Sequence, residues 1–432
     1  MRHPDPEGRG PVRYGPPLPE PGLPVLPELA AVVAAAAARA HPEPPGGPPA
    51  LLEAARGHGQ RRGLAPERAR VTAAPGAAPL LLALTAALGG DVLVPRPCPA
   101  WWVPQARLIG RDVFHVPTPA ECGGVPDPYA LLETVRRVRA EGGDPRLLVV
   151  SVADDPTATV PPPEVLHEAV EAAVGEGLHV VSDETWRDTV HPGPDGSGPG
   201  TVLFSPAEMF PGRVTVLTDL TGAYLPPSLP AACARFAPTA EGDRLAARTL
   251  DILTATGAHL AAPVAAAATY VLEEGAEVTA RRTAAVALHA RVAAALHRTV
   301  LAAGGLARPP RAGRHLYVDL ERLRPRLSAR GVTDAQDLEE YLTDRLGMPA
   351  PGGHRFGDDQ GALRVRLCTG PLLGSTPAER AASLTSPEPL GLPHVARVLS
   401  MVESVLGELR DPGDRADPEG TGAAGEGWES ER

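Results

Sequence analysis

The sequence predicts an α/β fold, in which a large domain built on a mostly parallel sheet with helices on both faces is followed by a smaller α+β domain. Two observations carry this. Short apolar runs alternate with amphipathic stretches of helical length between residues 77 and 217, the signature of strand–helix–strand repetition. After two long alanine-rich helical stretches and Gly304-Gly-Leu-Ala-Arg-Pro-Pro310, the alternation restarts on a smaller scale.

The elements follow in order. A helix is expected near Ala77 to Leu88, strands at Val92 to Pro95 and Val113 to Val116, and a helix at Asp127 to Glu141. Next comes a βαβ unit: strand Arg146 to Val152, helix Pro163 to Gly177, and strand Leu178 to Ser182, with Leu147 to Ser151 and Leu178 to Ser182 parallel. Another strand is expected at Val214 to Leu217, then helices over Arg244 to Glu274 and Thr279 to Ala303. The smaller unit reads as strand His315 to Leu320, helix Asp334 to Leu346, strand Leu363 to Leu367 and helix Pro393 to Leu409.

This gives the domain plan. Residues 1–28 are a Pro-rich tail expected to be disordered, 29–45 an N-terminal segment, 46–300 the large domain, 301–410 the small one, and 411–432 an acidic Gly-rich tail also expected to be disordered. With 432 residues and 43% hydrophobic content, the chain can bury one large core or two moderate ones. A net charge of -11 without a basic stripe argues against nucleic-acid binding. Cys98, Cys122, Cys233 and Cys368 are far apart, so their spacing suggests neither a zinc site nor a disulfide framework, and a reduced cytoplasmic setting is expected. Ala30 to Ala40 is too short to span a bilayer, and no membrane association is expected.

Six fragments in order resemble the class I/II aminotransferases, fold type I of the pyridoxal-phosphate (PLP) enzymes, over roughly residues 45 to 410; the first, Gly47 to Glu53 with Arg61-Arg-Gly-Leu-Ala-Pro-Glu-Arg68, looks like the stretch leading to the first strand. Val71-Thr-Ala-Ala-Pro-Gly-Ala-Ala78 stands where the phosphate-cradling turn belongs, and Asp91-Val-Leu-Val-Pro-Arg-Pro97 is similar to the segment "GDEVLVPDP". Asp155-Pro-Thr157 matches "NPTG", and Ser182-Asp-Glu184 matches "SDE". Pro351-Gly-Gly-His-Arg-Phe-Gly357 with Val365-Arg-Leu367 resembles the close "PGxxFG…VRL". The resemblance implies a sheet of seven strands, PLP as cofactor, a small amino or keto acid as ligand, and a homodimer or a heterodimer with a related aminotransferase.

The chain departs from the family at its chemical centre. All 41 of its pooled Lys+Arg residues are arginine, and Thr218-Asp-Leu-Thr-Gly222-Ala places Gly222 where the Schiff-base lysine belongs. A GC-rich coding sequence explains part of the lysine loss, yet an indispensable lysine survives such bias. No catalytic residue is therefore assigned. The chain is expected to form no internal aldimine, because a glycine supplies neither the covalent tether nor the proton carrier.

The resemblance assigns the remaining positions. Asp183 falls where the partner of the pyridine nitrogen belongs, with a solvated Asp at a loop start as the alternative. Asp155 replaces the asparagine beside the ring hydroxyl and is acceptor-only. Trp186 follows "SDE" in place of tyrosine, Gly76 opens the phosphate-binding helix, and Thr218 and Thr221 are the hydroxyls left near the lysine position. Ala73, Ala74, Pro75 and Pro230 replace groups that hold phosphate, so any PLP bound is held non-covalently and weakly. The stacking aromatic aligns with Pro99, leaving Trp101 or Trp102 to stack, to pack structurally or to form a dimer contact. Arg366 matches the arginine that grips a substrate carboxylate, with a surface or intrastrand salt bridge as the alternative. His41, His58, His191 and His354 are acid/base candidates by proximity alone. Two functions stay open: a pseudoenzyme acting as a binding or regulatory subunit, or a repurposed enzyme that binds PLP, pyridoxamine phosphate or a small amino or keto acid without a covalent bond.

Overall fold

A computed structural model describes residues 20–64, 70–193 and 200–410. Seven strands form the main sheet: β1 (Val71–Ala74), β2 (Asp91–Arg96), β3 (Val113–Pro117), β4 (Pro145–Ser151), β5 (His179–Asp183), β6 (Val214–Asp219) and β7 (Ala232–Arg235). Their order is β1-β7-β6-β5-β4-β2-β3, and β3, β2, β4, β5 and β6 run parallel while β7 is antiparallel to both its neighbours. The expected parallel pairing is present, with Leu147 opposite His179 and Ser151 opposite Asp183.

Strand β4 shows why this sheet forms. Leu147 and Val149 pack on one face with α3 (Ala77–Leu88, after α1 Pro27–Ala36 and α2 Pro49–Gln60) and with the helix Ala240–Ala255. Leu148 and Val150 pack on the other face with α5 (Pro128–Ala140, after α4 Trp102–Leu108) and α6 (Pro163–Gly175). A strand apolar on both sides needs helices on both faces, as parallel sheets have. A third core joins α1, α2, β1 and the helix Ala262–Glu273.

A second sheet of three antiparallel strands has the order β10-β9-β8, from β8 (Leu306–Ala307), β9 (His315–Asp319) and β10 (Arg364–Cys368). Its core takes Leu316, Val318, Val365 and Leu367 with the helices Ala335–Leu346 and Pro393–Gly407. The helix Ala276–Ala302 connects the cores: Val278 lies in the α1–α2 core and Leu288 to Val300 in this one.

Two expectations are corrected. The helix expected over Arg244 to Glu274 is two helices, Ala240–Ala255 and Ala262–Glu273, because Gly257 takes a left-handed conformation (φ 67°) and Pro263 fits only a first turn. Within the stretch expected to be a disordered tail, residues 20–26 pack on the body and α1 begins at Pro27, with Leu29 buried. Residues 1–19 and the acidic tail 411–432 lie outside the described residues.

Candidate functional site

Asp183 ends β5, Asp219 ends β6, and Asp155 lies four residues beyond β4, so three adjacent parallel strands deliver carboxylates to one end of the sheet. That end is where open α/β sheets bind ligands. A cavity of about 350 Å³ opens there, where Asp155, Trp186, Gly76, Thr221 and Arg366 meet. Five positions assigned by resemblance are thus brought together. Glu20, Asp219, Arg314 and His315, which were not assigned, also line it.

Several polar groups in this wall already have partners from the chain itself. The N-terminus of α3 begins at Gly76, whose φ of 106° requires glycine, and its first amide, Ala77 N, donates to Asp219 Oδ2 at 2.8 Å. A helix N-terminus favours an anion, and here that anion is an internal carboxylate. Asp219 Oδ1 accepts from Thr221 N at 2.9 Å and from Thr221 Oγ1 at 2.7 Å, so the hydroxyl expected for phosphate is committed.

Asp183 is buried beneath the cavity. Trp102 Nε1 donates to its Oδ2 at 3.1 Å and Thr185 N to its Oδ1 at 3.0 Å. Burial pushes this carboxyl up to about 6 despite both donors. Trp102 therefore fixes the carboxylate rather than stacking in the cavity, whereas Trp101 does line it.

Arg366 donates through Nη1 to Asp155 Oδ1 at 2.6 Å, its guanidinium lies 4.9 Å from the Phe356 ring, and Nη2 is 4.0 Å from Glu20 Oε1. Both open readings of Arg366 are relevant: it lines the cavity, and it is engaged in a buried ion pair that reaches across 211 residues rather than along its own strand. Asp155 Oδ1 also lies 3.6 Å from His315 Nδ1. Arg314 stands over the Trp186 ring at 5.0 Å, and His315 meets that ring edge-on at 4.8 Å.

Thr218 is not brought to this cavity. Successive residues of a strand face opposite sides, so with Asp219 on the cavity side Thr218 enters a crevice lined by Arg62, Glu184 and Arg187. Gly222 lies outside the cavity wall as well. A Cβ added there would fall inside van der Waals distance of the Thr185 carbonyl oxygen and 2.8 Å from Thr185 Cγ2. Among the four histidines singled out, His58 pairs with Glu274 at 2.8 Å, His191 bonds the carbonyls of Pro310 and Gly313, His354 lies beside Glu339, and His41 is exposed. None of them lines the cavity, and the histidine that does is His315.

These residues do not fit the needs of PLP. The phosphate would meet the Asp219 carboxylate at the helix N-terminus, next to Pro75, which has no N–H, and Pro230. The ring nitrogen's partner is held by Trp102, the ring oxygen would face a carboxylate, and the chain offers no lysine amine. What the cavity retains is two guanidinium groups, Arg314 and Arg366, against the lining carboxylates of Glu20, Asp155 and Asp219.

A model of the family described as aminotransferase class I and II matches residues 30–206. A probable aspartate/prephenate aminotransferase of Thermus aquaticus is 34% identical over 165 residues, which is 37% of this chain and 41% of that one. The aspartate/prephenate aminotransferase of Thermus thermophilus is 34% identical over 187 residues, 42% of this chain and 44% of the relative. The match thus spans less than half the length of either relative. In structure, the Thermus thermophilus aspartate aminotransferase with maleate aligns with a TM-score of 0.68 at 21% identity, covering 89% of this chain and 90% of the other. An aromatic aminotransferase from Pyrococcus horikoshii aligns with a TM-score of 0.71 at 16% identity, covering 90% and 94%. At these identities the likeness establishes the fold, the α/β architecture of fold type I.

Proposed function

We propose that this chain is a member of the aminotransferase class I and II family, whose model matches residues 30–206, and that within it the chain is a pseudoenzyme, a binding or regulatory subunit that makes no covalent bond to PLP through a lysine. The observation that carries this reading is Gly222. The resemblance puts it at the lysine position, and the Thr185 carbonyl lies in the space a side chain would need. The carboxylate of Asp219 on α3 and the indole of Trp102 on Asp183 support the same reading, since both meet with internal groups the demands a cofactor would otherwise meet. Pairing as a homodimer, or with an active relative, follows from the family's habit of building sites at subunit boundaries. A cytoplasmic location fits free cysteines; among the described residues no helix is long and apolar enough to cross a membrane.

The second reading is non-covalent binding of a small amino or keto acid, or of PLP itself, and Arg366 and Arg314 in the cavity wall favour it. One experiment separates the two. The purified protein is titrated with PLP and, separately, with dicarboxylic amino and keto acids, following absorbance and thermal stability, with and without borohydride. The first reading expects no trapped adduct on the body of the chain and no saturable stabilisation. Saturable stabilisation without trapping supports the second, and a trapped adduct on the folded body sinks both.

A further inference from the structure

The cavity holds one cluster that neither reading uses. His315 and Cys368 are register partners on β9 and β10, so their side chains rise from the same face of the small sheet at adjacent positions. Glu20, from the N-terminal segment, reaches over them. The ligating atoms of Glu20, His315 and Cys368 all lie within 4.8 Å of one another, and Glu20 Oε1 is 3.7 Å from His315 Nε2. We propose that these three residues form a binding site for a divalent transition-metal ion of the Zn²⁺ type, with a fourth coordination position open to the cavity.

The geometry is within reach of such an ion. Zinc binds N, O and S at about 2.0 to 2.3 Å, which places tetrahedral ligands about 3.4 Å apart. The ligating atoms lie within 4.8 Å of one another, and coordination requires the widest of these separations to close toward about 3.4 Å. The Glu20 side chain has a free valence: its Oε2 is buried without a hydrogen-bond partner, a condition that costs about 1 to 3 kcal/mol unless a donor or cation satisfies it. The donor set of thiolate, imidazole and carboxylate suits zinc or cobalt and is ill suited to magnesium or calcium, which take oxygen ligands.

The surroundings complete the pattern. Metal-binding histidines present their other ring nitrogen to a carboxylate, and His315 Nδ1 faces Asp155 Oδ1 at 3.6 Å. Asp155 is itself fixed by Arg366. The charges then balance: the ion offsets the Glu20 carboxylate and the Cys368 thiolate, while Arg366 offsets Asp155. Glu20 and His315 line the cavity and Cys368 lies behind them. The open position therefore faces the space walled by Arg314 and Arg366, and the exogenous ligand it would take is water or a small carboxylate.

This inference stands apart from the reading of Gly222. Its test uses the full chain without a histidine tag, stripped by chelator and titrated with Co²⁺ and with Zn²⁺. Bound ion is counted by mass spectrometry after equilibrium dialysis, and cobalt–thiolate charge transfer is followed by absorbance. The expected result is one ion per chain with a charge-transfer band, loss of the band in Cys368→Ser, and at least a tenfold weaker affinity in Glu20→Gln. Asp155→Asn is expected to weaken binding by about 10 to 100-fold. Because Cys368 is buried and its variant can fail to fold, the Glu20→Gln titration on folded protein stands as an independent arm. Substoichiometric binding, a cobalt spectrum without charge transfer, or equal affinity in wild type and Glu20→Gln would overturn the proposal.

Discussion

Replacing Gly222 tests the central claim about the lysine position, because the structure states what any side chain would meet. The φ of Gly222 is outside the left-handed region, so alanine is not strained there by its own backbone. In open space Gly→Ala would stabilise by about 0.4 to 1 kcal/mol through the unfolded chain. The added Cβ instead overlaps the Thr185 carbonyl oxygen, lies 2.8 Å from Thr185 Cγ2 and 3.0 Å from the carbonyl carbon. Backbone cannot rotate away as a side chain can, and Thr185 N is held by Asp183. Overpacking of this kind costs about 1 to 3 kcal/mol, leaving a net loss of about 1 to 2 kcal/mol for Gly222→Ala. Gly222→Lys carries the same Cβ and is expected to be no more stable. Equilibrium urea denaturation of the three proteins measures this, and the lysine variant is then incubated with PLP, reduced with borohydride and mapped by peptide mass spectrometry. A Gly222→Lys protein as stable as the wild type, with PLP trapped at residue 222 and brisk amino-acid half-reactions, would refute the claim that this position is closed.

Three further outcomes are expected. Asp219→Ala removes the internal anion from the N-terminus of α3: it should cost about 0.5 to 2 kcal/mol in urea denaturation, and inorganic phosphate should raise the melting temperature of the variant but not of the wild type. Arg366→Ala leaves Asp155 as an uncompensated buried charge and should cost about 3 to 5 kcal/mol, whereas a cost below about 1 kcal/mol would mean the pair in the structure is not formed. Asp183, pushed by burial to about 6 from 3.8, binds its proton more tightly folded than unfolded, so its contribution is fully present below about pH 4 and lost as pH rises through 6. At 1.36 kcal/mol per pH unit this is roughly 3 kcal/mol, and Asp183→Asn should gain about that much stability relative to wild type between pH 4 and pH 8, read from denaturation at both pH values.

The fold was legible because its determinants are repeated and local. The double-faced apolar run of β4, the Asp127 cap of α5 and the Pro at the head of α6 all mark their elements within a few residues. The break at Gly257 was missed because a run of alanines hides a boundary that one glycine and Pro263 create. Of the five assigned residues that line the cavity, Gly76, Asp155, Trp186 and Thr221 lie in motifs just beyond strand ends, and Arg366 lies within β10. Thr218 was misplaced by one residue of strand parity, and its neighbour Asp219 carries the contact with α3. An aspartate at the end of a strand in a stretch otherwise matching a phosphate site was a usable signal. Glu20 offered none, since a glutamate in a proline-rich segment has no periodicity that points inward. Nor could spacing reveal Glu20, His315 and Cys368 together, because sheet register and the path of the N-terminal segment unite them.

The arrangement also explains how such a site can change while the fold persists. The two cores that hold the main sheet draw mainly aliphatic side chains, with Trp102 and Phe236, from its strands and the helices over them, and none of Asp155, Asp219, Trp186, Arg314 or Arg366 belongs to them. Substitutions at these positions therefore leave the sheet's hydrophobic support intact. They do leave polar groups in a partly buried cavity, and such groups need partners. Asp219 against α3, Trp102 against Asp183 and Asp155 against Arg366 supply those partners from within the chain. A ligand that enters this cavity must consequently displace an internal carboxylate or add to groups still unsatisfied. Among the described residues, the unpartnered cavity atoms are Glu20 Oε2, Arg314 Nε and Arg366 Nε. They leave one carboxylate oxygen facing a cation and two guanidinium edges facing an anion, the complementarity on which the proposed metal site and the carboxylate-binding reading both depend.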